Sequence, residues 1–128
     1  MLGLRPVAAR ALGAALALCL CVPSASVFAQ AADATIDMKN LAFAPTVIHI
    51  QPGQTVQWTN SDPLQHTVTA DDGSFDSGLI DPGDAFTQEF DTPGTYQYYC
   101  VPHGSAGLHG MSATVIVDDP NAAAAGGE

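Results

Sequence analysis

Residues 92–117 read TPGTYQYYCVPHGSAGLHGMSATVIV. Thr92-Pro93-Gly94 is a tight-turn signal. Thr95 to Cys100 follows as a tyrosine-rich run of strand type. Met111 to Val117 is a second such run, closing on Thr114-Val115-Ile116-Val117. No helical period joins them, so the pair reads as two strands around a connecting loop. Pro102, Gly104, Gly107 and Gly110 in that loop allow it to fold back on itself.

The same grammar extends upstream. Ala34 to Phe43 alternates at Ile36 and Met38, and Thr46 to Gln51 places Ile48 and Ile50 on one face. Thr55 to Asn60 alternates Val56 and Trp58 with polar neighbours. His66 to Ala70 and Ala85 to Phe90 are two further short runs. Pro52-Gly53, Asp71-Asp72-Gly73 and Pro82-Gly83-Asp84 punctuate them as turns. About seven short strands at this spacing predict an all-β, two-sheet antiparallel sandwich with one face of each sheet solvated. Met38 and Trp58 are expected in its core, and His49 on the solvent face opposite Ile48 and Ile50.

The flanks read differently. Residues 1–29 carry Arg5 and Arg10, then an apolar run from Ala11 to Val22, then Pro23 and the small residues Val27 and Ala29. This is the pattern of a cleaved export signal, with cleavage after Ala29, and the run is too short to span a bilayer. The expected domains are therefore a signal at 1–29, a folded domain at 30–118 and a disordered, alanine-rich tail at 119–128. The full chain of 128 residues has 13 acidic and 3 basic residues, a formal charge of −10. Without residues 1–29 all the acids remain and one basic residue, Lys39, which makes −12. Such a surface repels phosphates and excludes nucleic-acid binding. Cys19 and Cys21 leave with the signal, so Cys100 stands alone in an oxidising compartment, where a lone thiol needs an explanation.

Metal binding supplies one. His103 follows Cys100 by three positions, Met111 follows His103 by eight, and His66 opens an earlier strand. Two imidazoles, a thiolate and a thioether are the donors of a mononuclear copper electron-transfer site. The Cys-x-x-His spacing with Pro102 inside it aims two side chains at one point, and the glycines return Met111 towards it. Zinc accepts the same thiolate and imidazoles, but the weak thioether suits copper better. A cysteine-nucleophile reading fails for want of a third residue to orient the base.

These residues resemble the cupredoxins, in particular the plastocyanin, pseudoazurin and amicyanin group. The resemblance runs from 34 to 117, through Val56-Gln57-Trp58-Thr59-Asn60, Asp62, His66-Thr67-Val68, Asp71 to Gly78, Pro93 to His103 and Gly110-Met111. It implies a Greek-key β-sandwich holding one copper ion, cycling between Cu(I) and Cu(II), with His66, Cys100, His103 and Met111 as ligands. It implies a blue copper protein, not an enzyme, that carries single electrons between larger redox proteins. The competing class is a copper-binding module for delivery or storage. Counting to the axial ligand as in plant plastocyanin lands on Leu108, which cannot ligate. Met111 is the expected ligand, with His109, or no axial ligand at all, as the alternatives.

The expected location is the periplasm, as a monomer with no stable membrane insertion. The charge predicts partners with basic docking surfaces, of the c-type cytochrome, oxidase, reductase or dehydrogenase kind. Tyr99, Asp71 and Asp72 are a candidate remote acidic docking area by resemblance to plastocyanins, and His103 is the expected electron port.

Overall fold

The computed structural model describes residues 30–122. The signal at 1–29 and the end of the tail, 123–128, lie outside the described residues. Eight strands follow one another: β1 (Ala34–Lys39), β2 (Ala42–Ala44), β3 (Val47–Ile50), β4 (Gln54–Asn60), β5 (Thr69–Ala70), β6 (Ala85–Phe90), β7 (Gly94–Ser105) and β8 (His109–Val117). They form two four-stranded sheets, β2-β1-β4-β6 and β3-β8-β7-β5. The two-sheet, all-β expectation holds. The sheets are mixed, however, because β1 pairs with β4 and β3 with β8 in parallel. Alternation reports which face of a strand is buried and is silent on the direction of its neighbour, so this departure could not be read from the sequence.

Alternation does locate the core. In β4, Val56, Trp58 and Asn60 are buried while the residues between them are half-buried. Trp58 is the hub: its ring lies 5.5 Å from Tyr98, 5.8 Å from Phe86 and 6.4 Å from both Phe75 and Phe90. Edge-on and tilted contacts of this kind each add about 0.5–1.5 kcal/mol beyond area burial. Met38 is fully buried and His49 is exposed, as expected, with His49 Nδ1 2.9 Å from Asp118 Oδ1.

β7 and β8 are longer than their sequence signals. Their hairpin is regular from Gly94↔Val117 to Tyr99↔Ser112, is interrupted by an irregularity, and resumes at Gly104↔Gly110. Such a break in register bends a strand and re-aims its side chains. Here it falls on Cys100 to His103, the stretch that carries two of the candidate ligands.

Candidate metal centre

His66 is set in place by the end of β4. Asn60 is 1% exposed, and its Nδ2 donates to the carbonyls of Leu64 (2.8 Å) and Ile80 (2.9 Å). Its Oδ1 accepts from the Asp62 N–H at 3.0 Å. One buried amide therefore folds the whole 61–65 loop, satisfying backbone groups that burial would otherwise strand. His66 then forms a two-way backbone bridge with Ile80, at 3.2 and 2.8 Å. The next residue, Thr67, ties this segment to β7: its N–H points at Cys100 Sγ (3.4 Å) and its hydroxyl accepts from the Val101 N–H (2.8 Å).

The result is a triangle of donor atoms. His66 Nδ1 and His103 Nδ1 are 3.1 Å apart, and Cys100 Sγ lies 3.5 Å from the first and 3.4 Å from the second. The point equidistant from the corners of such a triangle is about 1.9 Å from each, close to a metal–nitrogen bond length of about 2.0 Å and short of a metal–sulfur length of about 2.3 Å. The three donors are close enough to share protons among themselves in the metal-free protein and are equally placed to converge on one metal ion. His66 and Cys100 are fully buried while His103 is half-buried, so the triangle opens to solvent on the His103 side.

Burial pushes the Cys100 thiol above its ordinary value, against the opposing pull of the Thr67 and His103 N–H groups. The thiol is therefore protonated at neutral pH until a cation displaces the proton. Asp62 behaves in the opposite way. The N–H groups of Leu41 and Asn40, and then the His66 ring, hold its carboxyl below the usual carboxylate range against the cost of burial.

Met111 is 2% exposed at the start of β8. Its backbone is packed on Gly104, the residue after His103: a Cβ on Gly104 would meet Met111 O at 2.8 Å and N at 3.0 Å. His109 is exposed and Leu108 is 47% exposed, so of the three residues weighed for the axial position only Met111 is inside. His66, Cys100 and His103 form a cluster of metal-ligating atoms all within 4.8 Å of one another.

Tyr99 is half-buried and pairs with Thr69 across β5–β7, and Asp71 follows on the same face. Asp71 and Asp72 line an open cleft of about 390 Å³ with Thr95, Tyr96 and Gln97. Asp71 is also structural, since its Oδ2 accepts the Gly107 N–H at 2.7 Å and ties the tip of the ligand loop to the end of β5. The roles of Asn60, Asp62 and Thr67 were not evident in the sequence. The available signal was their spacing: a carboxylate four residues before a ligand histidine and a hydroxyl immediately after it.

Residues 30–118 match the family model described as copper binding proteins, plastocyanin/azurin family. Plastocyanin of Scenedesmus fuscus is 35% identical over 85 residues, covering 58% of this chain and 87% of that one. The chloroplastic plastocyanin of Tetradesmus obliquus is 34% identical, and the match covers 58% of this chain and 59% of the relative's length. Among solved structures, the reduced Cu(I) form at pH 4 of the P52G mutant of amicyanin superposes with a TM-score of 0.60 at 23% identity, covering 72% of this chain and 87% of that one. The donor triangle fits what such a family holds, a copper ion, and with a matching model over nearly the whole described span the chain belongs to the plastocyanin/azurin family of copper-binding proteins.

Proposed function

We propose that this chain is an exported type 1 copper protein that carries single electrons between larger redox proteins. His66, Cys100 and His103 supply the trigonal ligand set and Met111 the weak axial thioether. The observation that carries the reading is the triangle of 3.1, 3.4 and 3.5 Å between two imidazole nitrogens and one buried sulfur, open to solvent only at His103. Bound copper supplies a one-electron couple between Cu(I) and Cu(II).

What the chain's own residues contribute is rigidity and access. The Asn60 amide, the His66–Ile80 bridge and the Thr67 bonds hold His66 and Cys100 in one arrangement, so little needs to move when an electron does. Thr67 N–H and the burial of Cys100 set how much charge the sulfur retains. His103 reaches the surface among the exposed side chains of its own loop, Val101 and Pro102, and offers the short path for an electron from a docked partner. A formal charge of −12 after residue 29 favours partners with basic docking faces, and residues 1–29 direct the chain to the periplasm.

The copper-delivery reading shares every ligand and differs in what leaves the protein. Stopped-flow mixing of the reduced copper form with an oxidised c-type cytochrome separates the two. Rapid oxidation with copper retained on this chain supports the carrier. Slow oxidation together with loss of copper to a metal-free acceptor protein would establish delivery and sink the carrier reading.

A further inference from the structure

Both oxygens of the Asp62 carboxylate are engaged. Oδ1 accepts the Asn40 N–H at 2.8 Å, and Oδ2 accepts the Leu41 N–H at 3.0 Å and faces His66 Nε2 at 2.8 Å. Asn40 and Leu41 both adopt left-handed backbone conformations, with φ of 55° and 56°. That is uncommon for residues other than glycine, and least comfortable for a bulky one. Two successive N–H groups turned onto one anion make a small anion-binding nest. Asn40 and Leu41 are the two-residue loop between the paired Lys39 and Ala42, where a hairpin turn calls for positive φ at both positions, and that turn aims both N–H groups at a single carboxylate, which is only 8% exposed.

The consequence falls on His66. Its ring is completely buried and cannot turn to water. With an anion already fixed by two amides at its Nε2 edge, the ring must present Nε2–H there, because a lone pair facing a carboxylate oxygen would be repelled. The Nδ1 lone pair is then left pointing at Cys100 Sγ and His103 Nδ1. His103 differs: among the described residues its ring has no carboxylate partner, and its Nδ1 faces only the other two corners of the triangle. The centre is therefore asymmetric, with one buried, clamped imidazole and one half-exposed, unclamped imidazole.

We propose that Asp62 is a positioning residue for the metal centre: its carboxylate fixes His66 as the Nε2–H tautomer, aims Nδ1 into the donor triangle and lends that ligand negative charge that favours the oxidised metal. The metal part rests on the copper reading above, while the tautomer part does not. A carboxylate hydrogen-bonded to a ligating imidazole raises its basicity, and losing such a partner typically costs 10–100-fold in metal affinity. Cu(II) gains more than Cu(I) from a more basic nitrogen, so the loss should fall mainly on Cu(II).

The test uses wild type, Asp62→Asn and Asp62→Ala. Asp62→Asn keeps the shape and one acceptor for the turn, so it remains informative if Asp62→Ala fails to fold. Nitrogen-15 NMR of the histidine rings in the metal-free protein reads the tautomer, metal titration reads Cu(II) and Cu(I) affinity, and voltammetry reads the potential. The expected result is a single Nε2–H form of His66 in wild type and a mixed or reversed form in Asp62→Asn. Cu(II) affinity should fall about 10–100-fold, and every tenfold loss of Cu(II) over Cu(I) raises the potential by about 59 mV for one electron. A variant that only loses stability, with the wild-type tautomer and potential, overturns the proposal. If wild type itself shows no thiolate–copper colour, the copper reading fails, and the NMR of the metal-free protein still decides the part assigned to Asp62.

Discussion

Gly110 offers a sharp perturbation, because two separate costs can be worked out for it. Its φ is +68°, and a Cβ there would stand 2.5 Å from the His103 carbonyl oxygen and 3.0 Å from Gly104 Cα. Gly110→Ala therefore incurs the left-handed cost of about 1–2 kcal/mol. It adds an overpacking cost of about 1–3 kcal/mol, because the obstacle is backbone and cannot swing aside. The His103 carbonyl must retreat by about half an ångström merely to reach 3.0 Å, which is also roughly the tolerance within which a site must be held. Gly73→Ala is the control: φ is +75° with nothing within 4 Å, so it carries the first cost alone. Denaturant unfolding of the metal-free proteins should place Gly110→Ala about 1–3 kcal/mol below Gly73→Ala. Copper binding and colour should be weakened only in Gly110→Ala. Equal losses in the two variants, with the copper site unchanged in both, would refute the claim that the tight Gly104–Gly110 pairing sets the ligand loop.

Other expectations are simpler. Trp58→Ala removes the hub of the aromatic cluster and should cost about 3–5 kcal/mol in unfolding experiments; a loss under about 1 kcal/mol would mean the cluster is not the core. Asp62 and Asp72 are both held below the ordinary carboxylate range, Asp62 by the Leu41 and Asn40 N–H groups and Asp72 by the Ser74 hydroxyl and N–H. The native state thus binds fewer protons than the unfolded chain, and this contribution is complete above roughly pH 5 and is lost as pH falls through 4 and below. The melting temperature of the metal-free protein should drop over that window, and a flat profile between pH 6 and 3 would contradict it. Electron transfer with a basic partner should slow as salt rises, since the Debye length shrinks from about 10 Å at 0.1 M to about 3 Å at 1 M. Rates indifferent to ionic strength would show that the acidity serves solubility and not recognition.

The parts legible in the sequence were those governed by period and by donor chemistry. Alternation at Ile36/Met38 and Val56/Trp58 located strands and their buried faces, and the Cys100–His103 spacing with a distant His66 located a site. What stayed hidden depends on side chains meeting across long separations. The parallel pairing of β1 with β4 is set by how the two intervening strands, β2 and β3, return, which no local pattern records. The grip on Asp62 has no local signature, because its chemical partners, Asn40 and Leu41, lie 22 and 21 positions away. Asn60 looked like a strand end, yet its amide folds the loop that delivers His66. Glycine and proline predict a loop where β7 continues to Ser105 and β8 reaches back to His109, while the structure uses the glycines for close approach of two strands.

The central claim is that one sulfur and two imidazoles hold copper. The visible spectrum of the Cu(II)-loaded protein, taken beside that of Cys100→Ala, tests it most directly. An intense thiolate-to-copper charge-transfer band that colours the wild type blue and vanishes in Cys100→Ala is the predicted result. A Cu(II)-loaded wild type that is colourless, or whose band survives the loss of Cys100, would contradict it.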